Sequence, residues 1–323
     1  MHVPALYCPF PSANNRHAAA ADEATLAWAQ QWRLIDPARF EQLSLLRLGN
    51  LAGMTHPTAE WESLRLIADW CNWLFVHDDF CDDSLLGKQP ELLEAWHRRL
   101  TSIMEGQPAD TTTGLVAAFG DLWRRSTALG TPAWIARFRS HMQDFFDAHI
   151  WEASNRDVHE VPSVEAYLHY RPYTSGMYVY IDLIDIGYGF TFSSDLFEHP
   201  VFYQLREHTA RIVAWVNDIY SYRKELASGD LHSLVISIAV NGNMDYTQAV
   251  EEAVAIHDAE VRSFLEIETH LAAIAPDLQA EIQRYCAVVR GVIRGNLDWC
   301  ASVARYASAV LDENSELCEK MVG

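Results

Sequence analysis

Beyond about Asp22, apolar residues return at the three-to-four spacing of an α-helix almost everywhere, and the alternating pattern of a strand is nearly absent. The spacing is clearest in ATLAWAQQWRLI (residues 24–35), ESLRLIADWCNWLF (62–75), WIARFRSHMQDFFDAHI (134–150) and VEEAVAIHDAEVRSFLEIETHLAAI (250–274). A chain patterned this way buries its apolar stripes by packing helix on helix. Prolines stand where helices should begin, at Asp36-Pro37, Thr131-Pro132 and Ala275-Pro276, and Thr131 is placed to cap through its hydroxyl. No proline interrupts the stretch between Pro200 and Pro276, which suits long helices, and the Asn-Gly-Asn near Asn241 reads as a helix end. Residues 1–20 read as an irregular, proline-containing arm. Without internal repeats, low-complexity tracts or a linker, the expectation is one all-α domain over residues 1–323, a single-domain helical bundle of ten or more helices.

The helical pattern has one marked interruption. EAYLHY runs into Arg171-Pro172-Tyr173-Thr174-Ser175-Gly176 and then resumes as MYVYIDLIDIGYGF. Pro172 removes an amide donor and Gly176 relaxes the backbone, so a break or kink is expected there, beside an arginine.

The charge balance narrows the partners. With 44 acidic against 24 basic residues and a formal net charge of −20, the chain lacks the basic surface that nucleic-acid backbones require. It also lacks the basic amphipathic helix that binds anionic membranes, and no apolar run is long enough to span a bilayer. An anionic substrate would need positive charge assembled locally, and metal ions are the obvious source. The six cysteines show no paired or zinc-like spacing, and the N-terminus lacks the basic start and apolar core of a signal peptide. The expectation is therefore a cytoplasmic protein with reduced thiols, and its 14 histidines form no evident metal pair.

Two polar clusters stand out against this apolar background. In FVHDDFCDD (75–83), Asp78 and Asp82 share one helical face, as do Asp79 and Asp83. Carboxylates one turn apart converge on a hard divalent cation such as Mg²⁺, whereas acids at a helix C-terminus are otherwise disfavoured by the helix dipole. In ARIVAWVNDIYSYRKEL, Asn217, Ser221 and Glu225 follow one another at intervals of four, so an amide, a hydroxyl and a carboxylate oxygen line one stripe. Lys224 lies at nearly the azimuth of Asn217 and could hold an anion beside that metal. Arg305-Tyr306 gains interest only in this company.

Together these segments resemble the class I terpene synthases of the single-domain bacterial or fungal kind. Asp78-Asp79-Phe80-Cys81-Asp82-Asp83 is similar to their aspartate-rich motif, and Asn217-Asp218-Ile219-Tyr220-Ser221-Tyr222-Arg223-Lys224-Glu225 matches NDxxSxx(K/R)E at every defined position. Arg305-Tyr306, with Trp299 six residues earlier, resembles the late Arg-Tyr pair, and YCPFPSANNRH resembles the N-terminal segment, with Arg16 where a proline is common. The resemblance extends over essentially the whole chain. It implies an α-bundle around a deep apolar cavity, with three Mg²⁺ at its mouth (Mn²⁺ a possible substitute) binding the diphosphate of a linear prenyl substrate.

In that scheme Asp78 with Asp82, Asp83 or both holds two ions, and Asn217, Ser221 and Glu225 hold the third. Arg171 stands at the diphosphate-sensor position, Thr174 at the linker and Ser175 at the effector; the linker is often acidic, and threonine departs from that. Lys224, Arg305 and Tyr306 donate to diphosphate oxygens, and Asp79 pairs with Arg171 on closure. Phe75 and Trp299 are the first candidates for an aromatic lining that stabilises carbocations. The implied reaction is Mg²⁺-dependent ionisation and cyclisation, most naturally of farnesyl diphosphate to a sesquiterpene, by a monomer or homodimer. A C10 or C20 substrate is the alternative within the family, and a non-catalytic helical scaffold with acidic patches is the alternative outside it.

Overall fold

The computed structural model describes residues 4–303, the side chains of Asp83 and Ala272 apart, so Arg305 and Tyr306 lie outside the described residues. Within it the chain forms α1 (Ala18–Trp32), α2 (Phe40–Leu46), α3 (Leu48–Thr55), α4 (Trp61–Asp83), α5 (Pro90–Met104), α6 (Gly114–Thr127) and α7 (Pro132–Val158). It continues through α8 (Val164–Thr174), α9 (Met177–Tyr188), α10 (Ser194–Phe197), α11 (Pro200–Ser228), α12 (Leu234–Gly242), α13 (Tyr246–Ile274) and α14 (Gln279–Ser302). No strand occurs among the described residues, so the fold is all-α.

The proline and cap signals act locally as read. Thr131 Oγ1 accepts from Trp134 N at 3.2 Å to start α7, while Pro37 and Pro276 open single 3₁₀ turns that lead into α2 and α14. Asn243 closes α12 in the left-handed conformation.

Two helices organise the interior. Every residue of α9 from Met177 to Asp185 is buried, the mark of a helix surrounded by others. On α4, Trp70 and Trp73 are fully buried, and their indole N–H groups donate to Ser126 Oγ and Leu115 O, each at 2.9 Å. Carboxylates on α9 are matched by cations. Asp182 accepts from Arg137 Nε at 3.0 Å and pairs with His141 at 2.6 Å and with Arg206. Burial alone would raise the Asp182 carboxyl, but Arg206, His141 and Arg137 hold it well below the usual carboxylate range.

The break in the helical pattern falls later than Pro172. Helix α8 runs through that proline to Thr174, and the chain turns at Ser175–Gly176 before α9 begins. Gly176 takes φ of +67°, and a Cβ there would meet Leu74 and Phe145 at 3.3 Å, so both backbone and neighbours call for glycine. One missing amide bond is tolerated inside a packed helix, whereas the reversal of backbone direction needs the left-handed residue.

Candidate active site

The end of α4 and the second half of α11 face each other across a polar cleft. Its walls carry Asp78 and Asp82 from α4, Asn217, Ser221 and Glu225 from α11, and Arg171 from α8. The two stripes read from helical spacing thus reach one place, and Phe75 lies at its inner edge. Asp79 and Lys224 line the wider groove outside the cleft. Lys224 Nζ stands 3.3 Å from Glu225 Oε1.

Below the cleft lies an apolar cavity that opens into it. Leu51, Leu74, Phe75, Phe145, Met177, Val213 and Val292 line it, with Asp78, Arg171 and Asn217 at the mouth. Thr174 and Ser175 also form part of the wall, so the helix break is at the cavity. Trp299 corrects the sequence reading, because it stands behind the wall. Its ring packs edge-on against Phe75 at 5.5 Å, and its indole N–H donates to Leu46 O at 2.8 Å.

Arg171 is held from below by a residue of the second motif to which the sequence reading gave no role. Fully buried Asp218 accepts from Arg171 Nε at 2.9 Å, from Tyr167 Oη at 2.8 Å and from Leu234 N at 3.0 Å. It therefore ties α8, α11 and α12 together and aims the guanidinium, whose Nη2 donates to Asn217 Oδ1 at 2.9 Å. Arg171 Nη1 also reaches Thr174 Oγ1 at 3.4 Å, a direct link from sensor to helix break.

Four more residues of the cleft escaped sequence reading: Glu152 and Arg156 on α7, and Asp230 and His232 after α11. Buried Arg156 pairs with Asp82 and, at 3.0 Å, with Asp230. Its i,i+4 spacing from Glu152 was the available signal, but ordinary surface pairs share it. The cleft thus collects five carboxylates (Asp78, Asp82, Glu152, Glu225, Asp230) against two guanidiniums (Arg156, Arg171).

The electrostatics follow from that imbalance. Burial pushes the Asp82 carboxyl well up against the pull of Arg156, and Asp78, Asp230 and Glu152 push it further. Despite its own burial, Asp230 is held well below the usual range by His232 and Arg156. Burial would likewise raise Asp78, but His149, Arg171 and Lys224 hold it below the usual range. An oxygen-rich, hydroxyl- and amide-containing donor set with surplus negative charge fits hard divalent cations.

One layer behind, His77, Cys81 and His97 bring ligand-type atoms within 4.8 Å of one another, all buried. The Cys81 sulfur lies 3.8 Å from both ring nitrogens of His77. The two imidazoles meet Nε2 to Nε2 at 3.0 Å, a hydrogen bond. The group packs as core, between Trp73, Phe145 and Phe146.

The family model described as terpene synthase family 2, C-terminal metal binding, matches residues 69–263. The chain is 33% identical to germacrene A synthase of Nostoc punctiforme over 305 residues, 94% of each chain. It is 31% identical to (+)-T-muurolol synthase of Roseiflexus castenholzii, over 94% of this chain and 93% of that one. In structure it is similar to germacradien-4-ol synthase of Streptomyces citricolor, with a TM-score of 0.81, 26% identity and coverage of 92% and 98%. Wild-type cucumene synthase gives a TM-score of 0.80 at 26% identity, covering 92% and 99%.

Proposed function

The chain belongs to the terpene synthase family, and from that premise we propose that it ionises a linear prenyl diphosphate and cyclises the resulting carbocation, releasing diphosphate. The observation that carries this reading is the junction of two environments: a cleft of oxygen donors with surplus negative charge opens directly into an apolar cavity. Farnesyl diphosphate is the substrate we favour, since the (+)-T-muurolol synthase and 4-epi-cubebol synthase relatives are both named for cyclising it.

Asp78 and Asp82 on one side, and Asn217, Ser221 and Glu225 on the other, are the residues that would hold divalent cations. We read these as three Mg²⁺. Such cations act as Lewis acids on the leaving diphosphate. Arg171 binds a diphosphate oxygen while Asp218 keeps its guanidinium oriented, and Lys224, with Arg305 and Tyr306 from beyond the described residues, adds donors. Because Arg171 also contacts Thr174, an anion drawing on the guanidinium is felt at the Ser175–Gly176 turn. Phe75, between cleft and cavity, presents an aromatic ring where the cation is born. The rest of the wall is apolar and excludes water that would capture the cation early.

The deciding experiment incubates purified protein with C10, C15 and C20 prenyl diphosphates, with and without Mg²⁺, and analyses volatile products. A Mg²⁺-dependent cyclic C15 product is expected. Cyclic products from C10 or C20 alone would move the substrate assignment, and no product from any of the three would leave the helical scaffold as the better description.

A further inference from the structure

The end of the cavity away from the cleft carries polar groups that ionisation does not use. Cys71 lies seven residues before Asp78 on α4, so this floor is about 10 Å below the first aspartate at 1.5 Å per residue. Cys71 and Tyr180 both line the cavity there. Thr55 and Tyr180 both line the cavity, and Tyr180 Oη lies 2.7 Å from Thr55 Oγ1. Thr55 Oγ1 in turn lies 3.0 Å from Nδ1 of His56, which Tyr180 Oη also approaches at 3.3 Å. His56 is fully buried behind the wall, and its Nε2 has no hydrogen-bond partner among the described residues.

A buried imidazole with an unmatched nitrogen is costly and requires an explanation. The chain holds it firmly. Gly295 of α14 leaves no room for a Cβ against Met54 and Thr55, bringing the helix onto this segment. Asn15 donates to His56 O at 3.0 Å and to Ala59 O at 2.8 Å, which fixes the turn after α3.

We propose that Tyr180 takes the proton that ends the reaction and that Thr55 relays it to His56. The inference rests on the cyclase reading above. A carbocation folded against the floor lies too far from the diphosphate to lose its proton there directly. The C–H electron pair adjacent to the cationic carbon becomes the new alkene π bond, and the proton goes to the Tyr180 oxygen. The proton already on Tyr180 passes to Thr55 Oγ1, and the Thr55 hydroxyl proton passes to His56 Nδ1, the acceptor nitrogen of the tautomer that carries its own proton on Nε2. One positive charge leaves carbon and appears on imidazole. At rest the Thr55 hydroxyl can donate to Leu51 O at 2.8 Å or to Ala52 O at 3.2 Å, so its proton switches from a backbone carbonyl to His56 Nδ1. Burial lowers the His56 imidazole to about 3, so it waits neutral and gives the proton up again once solvent enters.

The test compares wild type with Tyr180→Phe, Thr55→Val and His56→Gln, measuring diphosphate release and the volatile product distribution from farnesyl diphosphate with Mg²⁺. Diphosphate release should stay within about threefold of wild type, because the ionisation groups are untouched. The share of the main product should fall about tenfold or more in each variant, towards products of other deprotonations or of water capture. Thr55→Val is nearly isosteric and decides the matter if His56→Gln fails to fold by circular dichroism. A wild-type product distribution in Thr55→Val or in a folded His56→Gln overturns the relay, even if Tyr180→Phe changes it by altering cavity shape. Absence of diphosphate release from wild type would instead count against the cyclase reading itself.

Discussion

At the scale of single residues, the second motif divides its labour by burial. Asn217, Ser221 and Glu225 turn oxygens into the cleft, while Asp218, one residue on, turns the other way and is saturated by Arg171, Tyr167 and Leu234. The two kinds of residue should fail differently. Asn217→Ala is expected to reduce turnover by on the order of a hundredfold or more, with a smaller fall in urea midpoint than Asp218→Asn, since Arg171 loses one acceptor but keeps its counter-charge. Asp218→Asn leaves a buried arginine without its counter-charge and should cost about 3 kcal/mol of stability, read from the same urea titration, along with activity. An unchanged urea midpoint for Asp218→Asn would contradict the role assigned to it. Helical spacing reveals the Asn217 stripe but is blind to Asp218, because which face of α11 meets α8 and α12 is a property of packing.

At the scale of elements, the α8–α9 junction couples an anion sensor to the cavity wall. Gly176→Ala must hold a left-handed residue and push on Leu74 and Phe145, at a cost of about 1–2 kcal/mol. Activity should fall further than that loss of stability alone explains, which kinetics at a temperature well below unfolding will show. The other end of α9 is anchored by Asp182 among Arg137, His141 and Arg206. Its carboxyl is depressed in the fold, so its stabilisation is fully present above the ordinary carboxylate range and is lost as pH falls below about 4. Asp182→Asn should therefore lower stability at neutral pH by about 3 kcal/mol or more and flatten the acid limb of the stability profile. Denaturant midpoints measured from pH 7 down to pH 3 will test both parts, and an acid limb as steep as wild type would contradict the second.

At the scale of the whole molecule, α4 and α11 bring their acidic ends to one mouth and their apolar lengths to one cavity, so ligands at the mouth should brace the bundle. Mg²⁺ with inorganic diphosphate at a hundred times its dissociation constant would stabilise by about 2.7 kcal/mol, a rise in melting temperature of about 4 °C for a chain of this size. Neither component alone should match that shift, and Asn217→Ala should reduce it; a full shift in that variant would argue for binding elsewhere. By itself the sequence determined the helical class, the two oxygen stripes and the interruption after Arg171, because these depend on spacing along one element. Only the tertiary structure decided that Trp299 stands behind Phe75, that Arg156 and Asp230 join the cleft, and that Thr55, His56 and Tyr180 meet at the floor. Thr55 and Tyr180 are 125 residues apart along the chain, yet their side-chain oxygens lie 2.7 Å from each other. No local period encodes such a meeting; it arises when close helix packing selects which faces touch.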